Sequence, residues 1–135
     1  MTEEIKPRVL LIDDEESIRI WLKGLLIALG CEVVGEAENG RDGVELFQKE
    51  RPDLVLLDLQ MPVMTGMMAL DYIIAEDPDA HVILLTSVTD TKVIYERFEA
   101  GAQYYLRKDE PPEKIKAALQ EQLEKIKTRS GQNPD

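Results

Sequence analysis

At 135 residues, with 44% hydrophobic and 32% charged positions, the chain fits a single soluble domain built on one core. A formal charge of −11 argues against nucleic acid or anionic membrane as a partner of this chain, because neutralising phosphates needs clustered Lys and Arg. No apolar run approaches the ~20 residues that cross a bilayer, "MTEEIKPR" lacks a secretory signal, and the lone Cys31 excludes an internal disulfide and suits a reducing cytoplasm.

The first strand reads in "RVLLID" (8–13). Ile18, Trp21, Leu22, Leu25, Leu26 and Leu29 then recur at steps of three and four, lining up one helical face, and Gly30 stops the helix. A second strand reads in "EVVGEA" (32–37), and Asn39-Gly40 opens a second helix carrying Val44 and Phe47. "LVLLD" (54–58) gives the third strand. Every methionine except Met1 falls in residues 61–68, read here as loop residues packing a third helix marked by Leu70, Ile73 and Ile74 and ended near "DPDA". "HVILLT" (81–86) is the fourth strand, with His81 in a structural role, and Val93, Ile94 and Phe98 mark the fourth helix. "QYYLRK" (103–108) is the fifth strand. After Pro111 and Pro112, a last helix carries Ile115, Ala118, Leu119, Leu123 and Ile126. One domain is expected over 7–127, with a flexible tail over 128–135.

Strands alternating with helices of this length predict right-handed crossovers and a parallel sheet covered on both faces, with the functional crevice at the carboxyl ends of the strands. Those ends carry Asp13 and Asp14, Asp58, Thr86 and Lys108. Three carboxylates meeting at one rim repel one another, so a cation belongs with them. With oxygen ligands and no His or Cys close by, Mg²⁺ suits them best. Asp58 is then placed to attack phosphorus. The Lys108 ammonium would neutralise charge on the phosphoryl oxygens, and the Thr86 hydroxyl would hydrogen-bond one of them.

On "LIDDE", "LLDLQMPVMTG", "LLTS" and "YYLRK", the sequence resembles the receiver domain of two-component response regulators over about residues 7 to 127. The resemblance implies a doubly wound five-stranded α/β sheet in the order 2-1-3-4-5 with five helices, the flavodoxin-like order. It implies that Asp58 is phosphorylated, that Asp13, Asp14, Asp58 and the Gln60 backbone carbonyl organise Mg²⁺, that Thr86 and Tyr105 form a switch pair, and that Lys108 binds phosphate. Gln60 and Val88 fall at positions that tune dephosphorylation in the family. The implied molecule is a cytoplasmic signalling switch rather than an enzyme, though it assists its own phosphorylation and dephosphorylation. Its implied partners are a sensor histidine kinase or phosphotransfer protein, and a downstream effector or fused output domain. A homodimer through the face of the fourth helix, fifth strand and fifth helix is also implied, and Lys92, Glu96, Tyr105 and Glu113 are candidate exposed contacts on that face. A stand-alone receiver is expected, and "RKDEPPEK", without proline at 109, predicts a trans Lys108-Asp109 bond. The alternative is a Mg²⁺-dependent phosphohydrolase with an aspartyl nucleophile, similar to haloacid dehalogenases. Those enzymes usually carry Asp-x-Asp, where this strand ends "DLQ". A flavodoxin-like binder is disfavoured because "DDEES" would repel a cofactor phosphate.

Overall fold

The computed structural model describes residues 6–61, 63–87 and 91–132. Strands β1 (Arg8–Ile12), β2 (Glu32–Ala37), β3 (Leu54–Leu57), β4 (Val82–Thr86) and β5 (Tyr104–Arg107) alternate with helices α1 (Glu16–Ala28), α2 (Gly40–Glu50), α3 (Gly66–Glu76), α4 (Thr91–Glu99) and α5 (Pro112–Gln132). All neighbours pair in parallel, and the order is β2-β1-β3-β4-β5, as expected.

The central strands are apolar apart from Arg8 at the start of β1 and Thr86 at the end of β4, because both of their faces are covered. Along β1 the side chains alternate with period two. Leu10 and Ile12 join one buried cluster with Val44, Phe47, Leu70 and Ile73 from α2 and α3. Val9 and Leu11 join the other with Leu22, Leu26, Leu119 and Leu123 from α1 and α5. Each fully buried aliphatic side chain contributes about 1.5–3 kcal/mol relative to exposure, and the sheet interior holds most of them. The clusters thus clamp the sheet from both sides, and the strands emerge at one rim on a fixed frame.

Local signals in the sequence set the helix ends. Asn39 Oδ1 accepts from the Asp42 amide at 2.9 Å, and Thr65 Oγ1 accepts from the Met68 amide at 3.3 Å, satisfying donors that the first turn leaves open. Gly30 ends α1 with φ 88°, and the Cys31 amide closes on the Leu26 carbonyl at 2.9 Å, a left-handed stop that glycine adopts without penalty.

Helix α4 forms where Val93, Ile94 and Phe98 mark it; Val93 packs on the core, and Phe98, five residues and roughly 140° further around the helix, is 41% exposed. Two local expectations change. Helical backbone runs to Gln132, five residues past the expected boundary at 127. Lys127 to Ser130 contain no helix breaker, and Gly131 alone costs only about 1 kcal/mol. The methionines divide: Met61 is buried and Met64 packs on the core, whereas Met67 and Met68 lie exposed on α3. His81 is structural as expected, its Nε2 paired with Gln122 Oε1 at 3.0 Å between β4 and α5.

Candidate functional site

Asp13, Asp58 and Lys108 each stand one residue beyond the end of a strand, and each backbone is pinned by the neighbouring strand. The Asp13 amide donates to Ala37 O at 2.9 Å, the Asp58 amide to Ile12 O at 2.9 Å, and the Lys108 amide to Thr86 O at 3.0 Å. The ladder therefore continues just far enough to fix where these side chains begin, and then releases the chain into loops. Ligand oxygens of Asp13, Asp14, Glu15 and Asp58 lie within 4.8 Å of one another. Asp13 and Asp58 are buried, while Asp14 and Glu15 face solvent, so the cluster is open on one side.

Lys108 Nζ sits among these carboxylates, 2.9 Å from Asp13 Oδ2, 3.1 Å from Asp58 Oδ2 and 2.6 Å from Glu15 Oε1. Burial raises the Asp13 and Asp58 carboxyls above the ordinary range despite their hydrogen bonds from the Glu15 and Gln60 amides and from Lys108. For Lys108, burial works against the charge, but hydrogen bonds to Glu15 and Asp13 and the charges of Asp13 and Asp58 outweigh it, and its pKa is raised. The arrangement is a desolvated pair of carboxylates whose mutual repulsion is held down by one ammonium. Its donors are all oxygens, with one buried side and one open side, which fits a hard divalent cation that keeps some of its water.

Glu15 is the member that reading the sequence missed. The letters "LIDDE" contained it, but only the two strand-end aspartates were singled out, and nothing local signals that the next carboxylate turns back to Lys108. Thr86 is fully buried and hydrogen-bonds Asp58. Tyr105 pairs with Leu84, two residues before Thr86 on the adjacent strand. It is half-buried against the cluster under α2 and α3, which puts Thr86 and Tyr105 on the same face of the sheet. Burial raises the Tyr105 phenol. The side chain of Gln60 adds a contact not foreseen: its Oε1 accepts from Ser87 Oγ at 3.0 Å, tying the loop after β3 to the end of β4. Val88 lies outside the described residues. No cis peptide bond occurs among the described residues, so Lys108-Asp109 is trans as expected.

The loop after β3 closes tightly over Asp58. A Cβ on Gly66 would stand 2.0 Å from the Asp58 carbonyl oxygen, and the Gly66 amide donates to Leu59 O at 3.1 Å. Only glycine permits that approach, which explains its place eight residues after the aspartate. At the exposed rim of the same loop, Val63 takes φ 70°, an unusual conformation for a β-branched residue.

Residues 9–120 match the model of the response regulator receiver domain. The chain is 37% identical over 112 residues to the chemotaxis protein CheY of Thermotoga maritima, covering 83% of this chain and 93% of that one. It is 42% identical over 113 residues to the transcriptional regulatory protein LiaR of Bacillus subtilis, covering 83% of this chain but 54% of the relative. Among solved structures, the response regulator domain of Thermotoga maritima CheB superposes with a TM-score of 0.80 at 28% identity, covering 96% of this chain and all of that one, 100%. These matches decide between the receiver and the aspartyl phosphohydrolase. The sheet order, the carboxylates and lysine gathered at its rim, and a family match spanning most of the sequence all agree, and the chain belongs to the response regulator receiver domain family.

Proposed function

We propose that the chain is a phosphorylation switch in which Asp58 accepts a phosphoryl group from a phosphohistidine donor with Mg²⁺ bound. The observation that carries this is Lys108 Nζ between the buried Asp13 and Asp58 carboxylates at the open rim of the sheet. The donor set suits Mg²⁺ held by Asp13, Asp14 and Asp58, with the Gln60 carbonyl as the family resemblance implies. When bound, the metal would supply positive charge to the phosphoryl oxygens.

The remaining roles belong to this chain's residues. An Asp58 carboxylate oxygen attacks phosphorus as the P–N bond of the phosphohistidine breaks, and the imidazole leaves with the bonding pair. Lys108 exchanges a carboxylate partner for a phosphoryl oxygen, and the Thr86 hydroxyl donates to another. The inward pull on Thr86 then vacates space beside Tyr105, which turns toward it and remodels the face of α4, β5 and α5. Exposed Lys92, Glu96 and Glu113 lie on that face, where an effector or a second copy would dock. LiaR is about twice as long as the matched region, so an output domain joined to this one is an alternative to a separate effector. The switch acts in the cytoplasm, where histidine kinases deliver phosphoryl groups. No helix among the described residues is long and apolar enough to cross a membrane.

Intact-mass analysis after incubation with acetyl phosphate tests this reading. One phosphoryl group should appear on the wild type with Mg²⁺, and none with EDTA or on Asp58→Asn. Undiminished labelling of the Asn variant would overturn it.

A further inference from the structure

We propose that Arg19 is a positioning residue for the acidic cluster, holding the Asp13 carboxylate in place through its backbone; this rests on the reading of that cluster as a Mg²⁺ site. Arg19 lies in the first turn of α1, and its side chain is only 13% exposed. Its Nη1 donates to the backbone carbonyl of Asp13 at 2.5 Å, and its Nε stands 3.4 Å from Glu36 Oε1 on β2. Lys23, one turn further along α1, holds the same Glu36 at 3.3 Å. One planar guanidinium thus ties together α1, β2 and the residue at which β1 leaves the sheet.

The position matters because the Asp13 carbonyl comes just where the regular ladder ends, and a buried carbonyl needs a donor. The Asp13 carboxylate is itself set by short-range contacts, accepting from the Glu15 amide at 2.8 Å and from Lys108 at 3.1 Å. Rotating the peptide plane after Asp13 would disturb both. Lysine cannot reproduce the arrangement, because a guanidinium makes two divergent contacts in fixed geometry and an ammonium on a flexible stem does not.

Positioning and plain electrostatics predict opposite signs. Arg19 adds positive charge near a cation site and balances Glu36, so if charge alone mattered, removing it would tighten metal binding. If Arg19 holds Asp13 in register, removing it loosens metal binding, and outer-shell partners of this kind typically contribute about tenfold or more.

Calorimetric titration with Mg²⁺ and Mn²⁺, alongside thermal unfolding of the metal-free proteins, separates the two. Arg19→Met is expected to bind both metals about tenfold more weakly than wild type, and Arg19→Lys, with its charge kept, at least threefold more weakly. Unchanged or tighter binding by a folded Arg19→Met protein overturns the proposal. If Arg19→Met does not fold, Arg19→Lys decides alone: weaker binding supports the proposal and wild-type affinity overturns it. Wild type that binds neither metal overturns the metal-site reading, and Arg19's role with it. Normal wild-type binding with insensitive variants overturns only the role of Arg19.

Discussion

Replacing Lys108 with methionine keeps an unbranched stem and removes the one charge that Asp13 and Asp58 share. Those side chains are 5% and 3% exposed, and Nζ approaches them at 2.9 and 3.1 Å. Removing one partner of a buried ionic contact costs about 3–5 kcal/mol. Protonating one carboxylate caps the loss. From an ordinary carboxyl pKa near 3.9, at about 1.36 kcal/mol per pH unit, protonation costs about 4 kcal/mol at pH 7 and about 1.5 kcal/mol at pH 5. The Glu15 contact adds little, because that side chain is 53% exposed. Urea unfolding of metal-free protein should therefore give a variant about 3 kcal/mol less stable at pH 7, and at most about 1.5 kcal/mol less stable at pH 5. The sign follows from linkage: the variant's carboxyl pKa rises in the folded state, so stability present at acid pH is lost as pH climbs through that raised value. Mg²⁺ should recover part of the loss at pH 7. A loss below about 1 kcal/mol at pH 7, or an equal loss at both pH values, would refute the view of Lys108 as the counter-ion of the buried pair.

Three further outcomes are expected. Because burial raises Asp13 and Asp58 in the wild type, metal-free stability should decline as pH rises from the acid range through their folded values, and Asp58→Asn should be the more stable protein at pH 7; a less stable Asn variant in urea unfolding would contradict this. Gly66→Ala forces a Cβ to 2.0 Å from the Asp58 carbonyl oxygen, so it should cost about 1–3 kcal/mol and impair phosphoryl uptake, and wild-type behaviour in both assays would mean the loop has another way to close. Thr86→Ala should still bind the phosphoryl mimic beryllofluoride but lose most of the amide shifts that wild type shows around Tyr105, Lys92 and Glu113; a full distal response would break the proposed threonine-tyrosine coupling while leaving Asp58 untouched.

Much of the architecture was legible because burial on both faces forces a simple pattern. "VLLI" and "LVLL" admit few readings other than interior strands, and the recurrence of apolar residues through α1 fixed its inward face at Leu22 and Leu26. Three strand ends were read one residue long, since Asp13, Asp58 and Lys108 each make a last ladder hydrogen bond without continuing the strand, whereas β2 and β4 end where they were read. The site residues were legible for the same reason: their positions follow from strand ends and need no knowledge of loops. Contacts that depend on how a loop turns were not. Glu15 reaching Lys108, Gln60 reaching Ser87 and Arg19 reaching the Asp13 carbonyl are set by backbone direction after the strand, which no local residue pattern records.

An acyl phosphate is reduced by borohydride to the alcohol, so phosphorylated aspartate becomes homoserine and marks its own position. Wild-type protein treated with acetyl phosphate and Mg²⁺, then reduced and digested, should carry homoserine at position 58 and at no other aspartate, and EDTA should abolish it. Homoserine at Asp13 or Asp14 with none at position 58, or the same yield with EDTA present, would contradict Asp58 as the metal-dependent phosphoryl acceptor.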